Sequence, residues 1–342
     1  MSAHEVAPIT PEDDCFHPYS DHPYETETFW ASFHVPERAI GGWFYNQVLF
    51  NQAACNGGAW VWDASELPSR YEVFDHGLPL EDPSALDLRD VRLPNGNHLQ
   101  ALEPLRRYRV RYSDPGRFEA DVILEGLRAP HSHPLGVAPF WKGRHFDQAI
   151  HVTGQVVLDG EVIDVDSLSM RDRSWGPRPG PRSQSSKKPA SKRREPPDPV
   201  TAARPPFSPF GVGYVFGTAS ADEMFLAYTL PCTYDGRGRD DVTTGYLVRD
   251  GEYGLLVAGT RRAELDPDHR WMRRIVLEAT DEHGREVTAV GSLRSHHGAE
   301  GLGTGYFHWE WDGASGYGED QSAAPPAVVE ALIESGCWEV GS

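Results

Sequence analysis

Cysteine is scarce and scattered. Cys15, Cys55, Cys232 and Cys337 are far apart and make no C-x-x-C pair. That distribution excludes a disulfide framework and a thiolate zinc centre, and it is the pattern of isolated thiols in a reducing compartment. No stretch approaches the ~18 apolar residues that a membrane-spanning helix needs. The opening MSAHEVAPITPEDDC has neither a basic n-region nor an apolar h-region, so no signal peptide and a cytoplasmic location are expected. Positive charge is in deficit: 32 Lys and Arg face 51 Asp and Glu, a formal net charge of -19. So acidic a chain is not expected to take nucleic acid as its partner. Also missing are a Walker loop, a G-x-G-x-x-G between strand and helix, and a G-x-S-x-G elbow. Their absence removes the usual NTP, dinucleotide and serine-hydrolase readings.

What the chain does have is aromatic rings and short alternating runs. It carries 10 Trp, 13 Tyr and 14 Phe, enough to line a large apolar interior in a 342-residue protein. HVTGQVVLDGEVIDVDSLSM alternates on both sides of Asp159-Gly160, a hairpin signal. TGYLVRDGEYGLLVAG does the same around Asp250-Gly251, and RRIVLEATDEHGREVTAVGSL around Glu282-His283-Gly284. Further pairs are expected around Asp114-Pro115-Gly116 and around Asn56-Gly57-Gly58. The one helix signal is PPAVVEALIESGCW, with Pro326 suited to the first turn and Gly336 to the C-cap. An all-β chain of antiparallel barrels or sandwiches follows, with a short C-terminal helix. Residues 179–206 are rich in Pro, Ser, Lys and Arg without apolar periodicity, and read as a basic, solvated linker. It divides the chain into an N-terminal unit, 1–178, and a C-terminal unit, 207–342.

Three segments concentrate chemistry. In MRDRSWGPRPG, residues 170–180, strand alternation puts Arg171, Arg173 and Trp175 on one face and Asp172 and Ser174 on the other. A buried arginine must face an acid, and Asp172, Asp164 and Asp166 are nearest in sequence. The cluster is either an ionic latch or a site in which Asp172, raised in pKa beside an indole, acts as a general acid. In PFWKGRHFDQAIHVTG, His145 and Asp147 share a face, as an oriented base or as a structural pair, while Gln148 looks away. In GLGTGYFHWEWDGASGYGEDQ, Tyr306, His308 and Glu310 alternate with Phe307, Trp309 and Trp311, one face titratable and one aromatic. The histidines of HSHP (131–134) and His296-His297 sit in turn-like contexts and are expected to be exposed, so no metal is expected.

MRDRSWGPR, following a hairpin and preceded by HFDQ, resembles the Asp-His-x-Trp-Gly signature of carotenoid 1,2-hydratases (hydroxyneurosporene synthases). It is similar, more closely, to an uncharacterised bacterial group in which an Arg-Asp-Arg-Ser-Trp-Gly-Pro-Arg string recurs. The resemblance implies two tandem lipocalin-like β-barrels, and relatives that hydrate isoprenoid or phenolic double bonds or fold polyenes in an apolar pocket. Asp172 and Trp175 match the signature, whereas Arg173 stands where it has histidine. A Tyr-x-Asp pair follows the signature in those hydratases; here Tyr214 is retained and Phe216 replaces the acid. The expected function is acid-assisted hydration, elimination, isomerisation or cyclisation of an apolar small molecule, without a cofactor. Asp172, Trp175, His145 and Glu310 are the catalytic candidates, and Arg173, Tyr214, Tyr306, His308 and Trp309 the binding candidates. The alternatives are a carrier of a lipid-like molecule, with the Arg-Asp cluster closing the barrel, and a scaffold without a cavity.

Overall fold

The structure, a computed structural model, describes residues 8–65, 69–133, 143–178, 212–232, 238–298, 302–324 and 326–341. The segment expected as a linker, 179–206, lies outside the described residues. Period-2 patterning resolves into two sheets, antiparallel except where the short last strand, Trp338–Val340, pairs in parallel. The first contains β1 (Glu25–Val35), β2 (Ile40–Leu49), β3 (Ala54–Trp62), β4 (Tyr71–Pro79), β5 (Val91–Arg92) and β6 (Asn97–Glu103). It continues with β7 (Arg107–Asp114), β8 (Phe118–Gly126), β9 (His131–Ser132), β10 (Arg144–Leu158) and β11 (Glu161–Pro177). The second holds β12 (Val212–Thr218), β13 (Met224–Cys232), β14 (Arg239–Arg249), β15 (Glu252–Leu265) and β16 (Met272–Asp281). It adds β17 (Glu286–His297), β18 (Leu302–Trp311), β19 (Ala314–Ala323) and the short β20 (Trp338–Val340), with helix α1 (Pro326–Glu334) before the last strand.

The first sheet runs β4-β3-β2-β1-β11-β10-β8-β7-β6-β5, with β9 on β10, and curls into an open half-barrel. The second runs β14-β13-β12-β19-β18-β17-β16-β15 and closes through β14–β15 into an eight-stranded barrel, with β20 beside β15. Three Asp-Gly pairs set the tight hairpins. Asp159 and Gly160 (φ 52 and 85), Asp250 and Gly251 (φ 52 and 77), and Asp312 and Gly313 (φ 48 and 88) take the two left-handed positions that a two-residue turn demands. Gly336, at φ 74, ends α1 as expected, and its amide donates to the Ile333 carbonyl.

One expected turn is elsewhere. Asn56-Gly57-Gly58 lies inside β3, and the β2–β3 connection is the short 3₁₀ turn Phe50–Gln52 closed by Ala53. These glycines serve close approach instead. A Cβ on Gly57 (φ +125) would lie 2.1 Å from the Tyr45 carbonyl oxygen, and one on Gly58 2.1 Å from that of Val73. Gly57→Ala should therefore cost about 2–4 kcal/mol of stability, since strain and clash add, and urea unfolding would measure it.

Each sheet wraps its own apolar core: Phe33, Phe44, Phe118 and Val122 in the first, Phe225, Leu247, Ile275 and Trp309 in the second. A third cluster joins the sheets through their outer faces. Trp30, Ala149 and Met170 of the first pack on Tyr214, Phe216, Leu226 and Tyr246 of the second.

Arg171 and Arg173 project into the first core, fully buried. Their acids are not Asp172, Asp164 or Asp166. Alternation turns Asp172 to the other face, and Asp164 and Asp166 are exposed farther along β11. Arg171 instead takes Asp14 at 3.1 and 3.2 Å, Gln148 at 2.8 Å and the Tyr108 hydroxyl at 2.8 Å. Arg173 donates to Glu27 at 2.5 Å and to the Cys15 carbonyl at 3.1 Å. The segment before β1 thus crosses the half-barrel and supplies the charge that its interior needs.

Candidate active site

Long strands β10 and β11 pair with Asp147 directly opposite Asp172, and β1 sets Trp30 opposite Asp172 on the other side. Directly opposed residues share a face, so two carboxyls and an indole meet where this sheet touches the barrel. His133 follows directly after β9, its amide on the His145 carbonyl at 3.1 Å, and β12 and β13 present Tyr214 and Tyr228, themselves register partners, from across the interface.

Asp147 is the hub, fully buried. Its Oδ1 accepts from the Tyr214 hydroxyl at 2.9 Å, and its Oδ2 bonds His133 Nε2 directly. The same Oδ2 has His145 Nε2 at 3.2 Å and the Tyr228 hydroxyl at 3.3 Å, and Tyr228 also meets His145 Nε2 at 2.8 Å. One ligand atom each from His133, His145 and Asp147 lie within 4.8 Å of one another, a donor set that could close on a cation. Here they are engaged with each other in hydrogen bonds.

Two carboxyls on adjacent strands cannot both ionise cheaply, and their surroundings separate them. Burial opposes the Asp147 charge, but His145 and His133 overcome it and hold this carboxyl far below the usual range. Burial pushes Asp172 up to about 7; Asp147 adds to the rise, while His145 and Arg178 oppose it. His145 is raised because the Asp147 charge outweighs its own burial, whereas burial lowers His133. Burial also holds the Tyr214 and Tyr228 phenols well above their ordinary value, so both remain protonated. The site therefore contains an anion at Asp147 and, beside it, a carboxylic acid at Asp172 that titrates near neutrality.

The walls are aromatic. Trp30 meets Trp43, Tyr214 and Phe216 edge to face, with centroids at 5.6, 5.9 and 6.5 Å. Its indole Nε1 is buried without a hydrogen-bond partner. Tyr45, opposite Trp30 on β2, is half-buried, as is Asp172 itself.

Of the residues singled out by sequence, Asp172, His145, Asp147 and Tyr214 meet here. The others lie elsewhere. Trp175 faces the opposite side of β11, stacked on His17 at 4.2 Å, so the indole opposite Asp172 is that of Trp30. Arg173 is committed to Glu27 in the half-barrel interior. Trp309 is in the core of the closed barrel, Glu310 is exposed, and His308 bonds Ser315 at 2.8 Å. Tyr306 is buried in a neighbouring aromatic cluster, stacked on His34 at 4.4 Å.

Sequence reasoning missed His131, His133, Tyr228 and Trp30. Both histidines of HSHP are buried rather than exposed, at 5% and 8%. His131 Nδ1 meets the Tyr253 hydroxyl at 2.5 Å, and burial drives its imidazole down to about 3. His296 and His297, also expected to be exposed, are half-buried. The one local signal was the His-x-His spacing, which puts two rings on one face once the segment pairs as a strand.

A family described as a domain of unknown function, DUF7064, matches residues 10–187. No curated protein matches the sequence. Among solved structures, the chain is similar to a putative AttH from Nitrosomonas europaea. The TM-score is 0.57 at 14% identity, over 93% of this chain and 99% of that one. It is also similar to kievitone hydratase from Nectria haematococca, with TM-score 0.51 and 10% identity over 94% of both chains. At such identities the likeness is one of fold alone.

Proposed function

We propose that this chain, which belongs to the DUF7064 family, a domain of unknown function, is an acid catalyst for an apolar small molecule held between its two sheets. The observation that carries this reading is the opposed pair of carboxyls: Asp147 saturated by donors, and Asp172 half-buried beside it with its carboxyl pushed up to about 7. An acid in this state can protonate a carbon–carbon double bond or an oxygen leaving group. The faces of Trp30 and Tyr45 would stabilise the resulting cation, and the Asp147 charge would add to that. For hydration, the Asp172 proton forms the new C–H bond as the π bond breaks. Water then attacks the cation, and the proton it loses returns to the Asp172 carboxylate, so the enzyme is regenerated. Elimination is the same sequence in reverse, and loss of a carbon-bound proton instead of water addition gives isomerisation.

A hydratase on the same fold supports this class of chemistry. Trp175, Glu310 and Trp309 have no part in the proposal, because none of them reaches the interface cluster.

The test is incubation of apolar metabolite extracts with the protein in heavy-oxygen water and, separately, in deuterated water. Hydration adds one heavy-oxygen water to a single compound; isomerisation leaves the mass unchanged but exchanges carbon-bound hydrogen for deuterium. Asp172→Asn should show neither change. An apolar ligand that co-purifies and survives long incubation unaltered and unlabelled would make the protein a carrier instead.

A further inference from the structure

A second buried carboxyl stands between the sheets, that of Glu319 on β19. Its Oε1 bonds His34 Nε2 at 2.8 Å, and its Oε2 accepts from the Trp43 indole at 2.9 Å and from Gln321 at 3.1 Å. His34 and Trp43 belong to β1 and β2, so two of these partners come from the opposite sheet. Asp147 is the counterpart, a carboxyl of the first sheet that takes Tyr214 and Tyr228 from the barrel. β1 joins the two places, because Trp30 and His34 are four residues apart on one strand and share a face.

Glu319 reaches the rings beside Asp172 by two routes. Trp43, held through its Nε1–H, packs edge to face on Trp30, with centroids 5.6 Å apart and planes at 87°. The same indole stands nearly perpendicular to Trp60 and Trp62, at 82° and 88°. Phe216, the register partner of Glu319 on β12, lies 6.5 Å from Trp30 and 6.5 Å from His34. Of the rings that frame Trp30, one is therefore bonded to Glu319 and another sits beside it in the ladder.

Burial alone does not call for the Trp43 bond. Trp43 is half-buried, and Trp62 beside it keeps its Nε1 buried without a partner. What an acceptor on one side of an indole does is select one of the two ways the ring can fill the same slot.

We propose that Glu319 is a positioning residue for the acid reaction. Through Trp43 it fixes the plane of the Trp30 indole opposite Asp172, and so decides which part of a developing cation that face meets. The inference rests on the acid-catalyst reading above. The part of Glu319 is indirect, and the proton still comes from Asp172.

The experiment compares Glu319→Leu, Glu319→Gln and Trp43→Phe in the full chain. The readouts are nitrogen-15 indole spectra, and kcat and KM on the compound that becomes labelled in heavy water. Glu319→Leu should shift the indole signals of both Trp43 and Trp30. It should lower kcat about 10–100-fold at nearly unchanged KM, the scale of a misplaced group. Glu319→Gln, which retains an oxygen for the Trp43 N–H, should recover most of the rate. Adding Glu319→Leu to Trp43→Phe should cost little more, because the N–H it would release is already gone. Should Glu319→Leu not fold, Trp43→Phe alone must shift the Trp30 signal and lower kcat to the same degree. The proposal is overturned by a Trp30 signal that stays in place, by a wild-type rate in Glu319→Leu or Trp43→Phe, or by losses that simply add. If the wild type labels no compound, the acid reading falls and this one with it. If the wild type turns over and these variants match it, only this one falls.

Discussion

Asp172→Asn should lower turnover by about 10²–10⁴-fold, the usual contribution of a positioned general acid, and should at the same time stabilise the protein above neutral pH. Both effects come from one cause. Burial beside Asp147 raises the Asp172 carboxyl from 3.8 to about 7 in the folded chain. In the unfolded chain it ionises near its ordinary value, so between pH ~4 and ~7 ionisation favours the unfolded state. Wild-type stability therefore falls across that window and levels off above about pH 7, by at most about 4 kcal/mol, and by less because Asp172 is half-buried. Asparagine cannot ionise, so the difference between variant and wild type should widen from pH 4 to 7 in urea unfolding. Turnover in the wild type should fall as the pH rises past about 7. An Asp172→Asn protein that still turns over, or whose stability parallels the wild type at every pH, would exclude Asp172 as the acid.

Arg171→Met should destabilise the protein by about 3–5 kcal/mol, the cost of leaving one member of a buried ion pair alone. The stranded group is Asp14, fully buried, which among the described residues would keep the Leu105 amide at 2.6 Å as its one donor. Adding Asp14→Asn should recover a large part of the loss, because the uncompensated charge is then gone. Residues before β1 should become sensitive to proteolysis in the single variant. Turnover per folded molecule should be preserved, because Arg171 lies on the face of β11 away from Asp172. A loss below about 1 kcal/mol would mean that Asp14 finds water or another partner, and that the segment is not held in place by charge.

Much of the fold is written locally. Asp-Gly pairs force two left-handed residues and hence tight hairpins, and Pro326 and Gly336 bracket the only helix expected. Alternation along 170–178 separated Asp172 from Arg171 and Arg173 before any contact was known. The same logic failed at Asn56-Gly57-Gly58, because a glycine pair can mark a turn or a place where backbones nearly touch, and the sequence carries no sign of which. It failed again at His131 and His133, whose burial depends on pairing with β10 and on the barrel packed over them.

The strand periods, the turn chemistry and the two-faced character of the 170–178 string were determined by sequence, since each depends on residues a few positions apart. The curled open sheet against the closed barrel was a tertiary outcome, fixed by whether the last strand finds the first. So was the choice of acids for Arg171 and Arg173, Asp14 and Glu27, which stand 157 and 146 residues away in the chain. The tertiary structure also decided which indole meets Asp172, because β1 had to pair with β11 before Trp30 and Asp172 could face the barrel together. The pKa separation between Asp147 and Asp172 depends on burial, on His133 and on the pairing of β10 with β11, and only the His145–Asp147 part of it is local.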